Sequence, residues 1–195
     1  GLSCSFFIYL WIQHEMRIDR FHENGDRLYQ VKINDHGRDR ISTRSNVPLP
    51  LAESIATTYP EVAHTVLTLP IKAALRRNDH AGREEGYFAS PGFFKAFSFP
   101  LILGDPVSVL VDPNSLVISE SMAARYFGAD WLSEGAVLGK TLSMSYWQSA
   151  GGVLGHATTV NNEKEFTITG VFEQPSHHST LNFDVVVPIQ EIAQT

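Results

Sequence analysis

The chain opens with an unbroken apolar run, "LSCSFFIYLWI" from Leu2 to Ile12, and turns polar at Glu15. Phe6, Phe7, Leu10 and Trp11 fall on one side of a helix, while Ile8, Tyr9 and Ile12 carry the apolar surface around most of its circumference. A helix that is apolar nearly all round is either deeply buried or faces lipid. Tyr9 and Trp11 stand just before the first charges, where an interfacial aromatic belt would put them. The run is shorter than the roughly 20 residues that cross a bilayer. It also lacks the basic start and small-residue cleavage site of a signal peptide. The residues alone leave two readings open, a buried core helix or the end of a transmembrane helix.

The helical pattern continues to about His22 or Glu23 and stops at Asn24-Gly25, a C-terminal signal. From Leu28 to Asn34 apolar and polar residues alternate, with Tyr29, Val31 and Ile33 on one face, which predicts a half-buried strand. After a polar loop, Pro50 starts a short helix in which Leu51, Ile55 and Tyr59 recur every four residues, and Pro60 ends it. Val62 to Leu69 and Ile71 to Arg76 read as strands broken by Pro70, the second forming a hairpin with Glu85 to Ala89. "SPGFFKAFSFPLILGDP" is a Pro-led helical turn whose Phe93, Phe94, Phe97 and Phe99 suit a core between helix and sheet. "SLVISESMAARYFG" reads as a strand, a Ser119 N-cap, a short helix and a Gly128 stop. Further strands are expected at Lys140 to Tyr146, Phe166 to Phe172 and Phe183 to Val187, with the Gly-rich run between the first two as a long hairpin loop. Short strands mixed with a few short helices predict an α+β fold rather than a doubly wound one.

Composition narrows the class. At 195 residues the chain fits one domain or two small ones sharing a core. Its 43% hydrophobic and 18% charged content is that of a folded protein. A net charge of −6 without a run of Lys or Arg argues against nucleic acid as a partner. The single cysteine, Cys4, excludes an internal disulfide and a multi-cysteine metal site.

Catalytic signatures are missing. The histidines are His14, His22, His36, His64, His80, His156, His177 and His178, and none forms a helical i, i+4 pair with a neighbouring Glu. His177-His178 lies in an expected turn, where adjacent side chains diverge, so a solvated loop is preferred to a metal site. Ser119 and Ser121 flank a helix start, where capping is the simpler role. Gly151-Gly152 with Gly155 lacks the Lys-Ser/Thr ending of a phosphate loop. Asp19, His22, Asp26 and Arg27 stand at three- and four-residue spacings, which a network of helix-end charges explains without catalysis. No catalytic residue, metal or cofactor is therefore expected.

"QHEMRIDRFHENGDRLYQV" resembles the segment after the first transmembrane helix of MacB/FtsX-type ABC transporter permeases, above all the group found in Bacteroidetes. Glu15, Asp19, Arg20, Phe21, His22, Asn24, Asp26, Arg27, Tyr29 and Val31 match that pattern. Ile18, Leu28 and Gln30 stand where the family usually has Tyr, Ile and Arg. "LPLAESIATTYPEV", "YFASPGFFKAFSFPLILGDP", "NSLVISESMAARYFG", "LGKTL" and "FTITGVFEQPSHHSTLNFDVVVP" resemble further family segments in the family's order.

The resemblance implies a MacB-like periplasmic core domain, with residues 1–14 as the end of the first transmembrane or stalk helix and 15–195 as the domain. A porter-like α/β part at about 15–75 and 165–195 would carry an inserted, strand-rich, sabre-like part at about 76–164. It further implies a site at the inner membrane on the periplasmic side, and a permease homodimer or pseudo-dimer. The expected partners are the membrane, reached through the N-terminal helix, a cytoplasmic ATPase subunit and a periplasmic protein. Its implied mode of action is mechanotransmission, in which ATP-driven movement of stalk helices passes to the periplasmic domains.

On this reading the stalk-to-domain junction comprises Glu15, Asp19, Arg20, Phe21, His22, Asp26, Arg27 and Tyr29, and the membrane-proximal set is Phe6, Phe7, Leu10 and Trp11. Family members usually continue beyond the segment that ends here at Thr195, so the resemblance implies a fragment whose apolar start would drive self-association. The alternative is a membrane-tethered periplasmic ligand-binding module or hydrolase using the His177-His178 turn or the Gly-rich loop.

Overall fold

The computed structural model describes residues 2–15, 22–37, 40–45, 47–78, 80–132, 137–148, 163–175 and 179–193. Helix α1 spans Leu2–Glu15 and has no apolar preference for one side: Phe7, Tyr9 and Trp11 are all exposed. Among the described residues no helix is long and apolar enough to cross a membrane. A 3-10 turn at Gly25–Arg27 follows, and β1 (Ile33–His36) pairs antiparallel with β2 (Ile41–Arg44) in a separate two-stranded sheet.

The strand expected from Leu28 is thus shorter and later than the alternation suggests. Tyr29 is 87% exposed, because among the described elements nothing packs over the face it shares with Val31. Helix α2 (Pro50–Thr58) starts at its proline as expected and buries no residue fully.

The main sheet holds seven strands, β3 (Thr68–Arg77), β4 (His80–Ala89), β5 (Leu101–Leu103), β6 (Ser115–Ser119), β7 (Thr141–Gln148), β8 (Lys164–Phe172) and β9 (Val185–Pro188). Its order is β5-β8-β6-β9-β4-β3-β7, and β7 also pairs back onto β8. The six strands β6-β9-β4-β3-β7-β8 therefore close into a ring, with parallel pairs at β4–β9 and β6–β8 and antiparallel pairs elsewhere. Strands from either side of the boundaries expected near 75 and 165 hydrogen-bond within this one ring.

Ring closure explains the alternation of the strands, since one face of each points inward and the other outward. Ile71, Ala73 and Leu75 of β3, Leu142, Met144 and Tyr146 of β7, and Val185 and Val187 of β9 belong to one buried cluster. Val117 of β6 and Val186 of β9 point the other way, into a second cluster with Phe93, Phe94, Phe99, Phe172 and Phe183. A bulge re-phases β8: Leu116 lies opposite Ile168 but Val117 opposite Gly170, so the extra residue Thr169 sends Val171 inward and Phe172 outward.

β3 runs straight through Pro70. That residue lies one position beyond the described β7 ladder, which begins at Ile71 opposite Gln148, so among the described residues its missing N–H interrupts no bond to β7. Gly86 is required by closure itself, because a Cβ there would stand 2.2 Å from the Val185 carbonyl oxygen of the parallel neighbour β9.

Three helices complete the body. Helix α3 (Phe93–Phe97) covers the outward cluster, and α4 (Glu120–Phe127) adds Met122, Ala123 and Tyr126 to the inward one. Ser119 caps α4 by accepting from the Met122 N–H at 3.2 Å, and Gly128 ends it, as the sequence predicts. Helix α5 (Gln190–Ala193) places the buried Glu191 carboxylate 2.5 Å from Lys164 Nζ of β8. The Gly-rich run 149–162 and the His177-His178 turn lie outside the described residues.

Candidate functional site

The segment behind α1 meets the folded body at His22, the buried member of the junction set among its described residues. Its Nδ1–H donates to the Phe97 carbonyl oxygen, which fixes the tautomer. The imidazole edge packs against the rings of Phe97 and Phe99, with centroids 5.8 and 5.2 Å away. The next residue extends the contact, Glu23 N–H donating to Ser98 Oγ at 3.3 Å. His22 and the residue after it thus grip two consecutive residues at the end of α3.

The turn that follows His22 is tight, Gly25 N–H donating to the His22 carbonyl at 3.0 Å and Arg27 N–H to that of Asn24 at 2.8 Å. It leaves Asp26, Arg27 and Tyr29 exposed, away from the contact. Glu15 is the last residue of α1, and Asp19, Arg20 and Phe21 lie outside the described residues. Among the described residues of the junction, Asp26 and Arg27 stand away from the contact and His22 makes the attachment.

The receiving surface is aromatic. Phe93 stacks on Phe99 at 5.8 Å and 18°, Phe99 meets Phe183 edge-on at 4.9 Å, and Phe183 lies 4.9 Å from Phe172 of β8. Helix α3 is bracketed by two left-handed residues, Gly92 (φ 92°) and Ser98 (φ 52°). Glycine adopts that conformation freely and serine does not. The Phe spacing in the sequence forecasts this layer as core, but no residue pattern marks the left-handed Ser98 or the Phe97 carbonyl as a receptor.

A second polar group lies around α4. Ser119 Oγ donates to Asp184 Oδ1 at 2.8 Å while accepting from Met122 N–H, and Ser121 Oγ donates to Gln174 Oε1 at 2.7 Å. Both the proton and a lone pair of Ser119 are thus engaged in holding the start of α4, which fits a cap. Arg125 Nη1 pairs with Glu84 Oε1 at 2.5 Å, the carboxylate being 3% exposed and the guanidinium side chain 52%. Burial, with the Glu84 carboxylate beside it, pushes the Tyr126 hydroxyl up to about 12. Among the described residues no three of His, Cys, Asp and Glu come together as metal ligands would.

The family described as MacB-like periplasmic core domain matches over residues 1–195. The chain belongs to that family. It is a periplasmic domain of the MacB-like ABC transporter permease type, a family of transporter permease domains and not of enzymes. This periplasmic core domain also resembles a domain of a protein described as a permease from Porphyromonas gingivalis, with 26% identity and a TM-score of 0.54, over 82% of this chain and 63% of that one. The chain thus spans less than two thirds of that solved domain. The periplasmic region of MacB from Actinobacillus actinomycetemcomitans matches at 15% identity and a TM-score of 0.48, over 74% of this chain and 57% of that one. The extracellular domain of YknZ, a noncanonic ABC-type transporter from Gram-positive bacteria, matches at 14% identity and 0.44, over 67% and 56%. No curated protein matches.

Proposed function

We propose that this domain works on the periplasmic side of the inner membrane as part of an ABC transporter permease, transmitting movement driven by a cytoplasmic ATPase subunit. Helix α1 is the end of the first transmembrane helix. The permease acts as a homodimer or pseudo-dimer, and the domain passes displacement to a periplasmic partner. The exposed apolar circumference of α1, on which no charged residue stands before Glu15, supports contact with the membrane.

The observation that carries the reading is the attachment of His22 and Glu23 to the end of α3. A device that transmits movement needs a defined point where the moving helix grips the body, and this contact supplies one. Cysteines placed at Asp19 or Glu23 in the intact transporter should cross-link differently with and without ATP. Cross-linking unchanged through the ATP cycle would sink the proposal.

A further inference from the structure

Helix α3 ends in an unusual way. The residue that follows a helix in the left-handed conformation is most often glycine, which adopts it without a Cβ clash. Here it is Ser98, at φ 52° and ψ 30°. A left-handed serine disfavours such a turn roughly five- to thirtyfold against a relaxed one. The turn Phe97–Ser98–Phe99 thus has an intrinsic tendency to leave the form seen.

Among the described residues, two hydrogen bonds from the segment at His22 and Glu23 oppose that tendency. His22 Nδ1–H holds the Phe97 carbonyl, and Glu23 N–H holds Ser98 Oγ. The residues on either side of Ser98 are aromatic and belong to the layer over the ring, Phe99 buried and Phe97 half-buried against it. Phe97 lies 5.0 Å from Phe93, and Phe99 lies 4.9 Å from Phe183. Rotation of the Ser98 backbone would therefore shift one ring relative to the other against the outer layer.

We propose that the Phe97–Phe99 turn is a two-state element whose left-handed form is held by the docked junction and released when the junction withdraws. The proposal rests on the transmission reading and names the part of the domain that changes state.

Hydrogen exchange of the 93–99 segment in the intact permease tests it. His22→Ala should raise exchange there about tenfold or more and leave β6 (Ser115–Ser119) unchanged. His22→Phe keeps an aromatic ring and loses the donated N–H, so it should raise exchange in the same segment by a smaller factor and guards against simple misfolding. Adding Ser98→Gly to either variant should lower the exchange again, up to about fivefold, because glycine enters the left-handed form without the Cβ penalty, which outweighs the lost Glu23–Ser98 contact. Exchange that spreads equally to β6, or that Ser98→Gly leaves unchanged or raises, would overturn the proposal. Exchange of this segment with and without ATP separates the two ideas. A response to nucleotide supports both; a switch that answers to His22 and Ser98 but not to nucleotide retains the two-state turn and counts against transmission.

Discussion

Phe183 is the point where the junction's receiving surface joins the ring, and truncating it gives the sharpest test of the packing described above. Its ring is 1% exposed and meets Phe99 and Phe172 at 4.9 Å and Tyr87 and Phe93 at 5.7 Å. Removing a fully buried Phe costs about 3–5 kcal/mol, the spread reflecting how far the site collapses. Collapse is restricted here, because Asp184 N–H donates to the Glu85 carbonyl at 2.8 Å and Val185 is locked into β9 between two strands. Phe183→Ala is therefore expected at the upper half of that range. Phe183→Leu keeps apolar contact and part of the volume and should cost roughly 1–2 kcal/mol, the share carried by the edge-on ring contacts. Urea unfolding of both variants, with Tyr59→Ala as an exposed control expected within about 0.5 kcal/mol of the parent, measures the series. A cost below about 1.5 kcal/mol for Phe183→Ala would mean that the outer aromatic layer is not packed as described.

Ser119→Ala removes the α4 cap and a donor to Asp184, and should cost about 1–2 kcal/mol in the same unfolding assay. Arg125→Met leaves the Glu84 carboxylate buried without that cation; since the guanidinium side is half exposed and screened, roughly 1–2 kcal/mol is expected instead of the larger loss at a fully buried pair. The double variant with Glu84→Gln should recover part of that loss, and a double variant worse than the sum of the singles would refute the pairing. Tyr126 is held neutral in the folded state up to about pH 12 against an ordinary value of 10.0, so its stability contribution is complete below pH 10 and is lost as pH rises from 10 through 12. Tyr126→Phe should flatten the alkaline limb of the stability curve in that window, and an unchanged limb would exclude the assigned environment.

What the sequence makes legible follows from how local each cause is. The α4 unit reads correctly because its cap, its stop and its apolar stripe are chosen by neighbouring residues: Ser119 accepts from an N–H three positions on, and Gly128 follows the last turn. The bulge in β8 does not read, since the shift from inward Ile168 to inward Val171 is meaningful only against the partner β6. Pro70 looks like a strand breaker because the sequence does not say which positions of β3 the described β7 ladder covers. Alternation from Leu28 to Asn34 says which face could be buried, while burial itself depends on what covers it, and Tyr29 is uncovered here. His22 is visible as a residue of interest from its charged surroundings. Its role as an anchor is not, because its acceptor is a backbone carbonyl 75 residues away that no side-chain pattern advertises.

The placement of the junction matters more than its charge. A closed six-strand ring with a filled interior resists deformation, since moving one strand disturbs two ladders and a close-packed core at once. Among the described residues, the junction's hydrogen bonds fall on the end of a five-residue helix that lies over the ring and is tied to the sheet largely through aromatic contacts. Apolar ring contacts are non-directional and permit sliding that a hydrogen-bonded ladder forbids. Displacement entering at His22 would therefore be taken up first by α3 and its phenylalanines, with the ring as the fixed base against which they move. The alternative arrangement, attachment on a ring strand, would spread the same displacement through every ladder and move the domain as a block. Comparing exchange at α3 with exchange at β6 across the ATP cycle distinguishes these two outcomes. Only the first lets a small shift at His22 change the outer surface while Ser115–Ser119 stays protected.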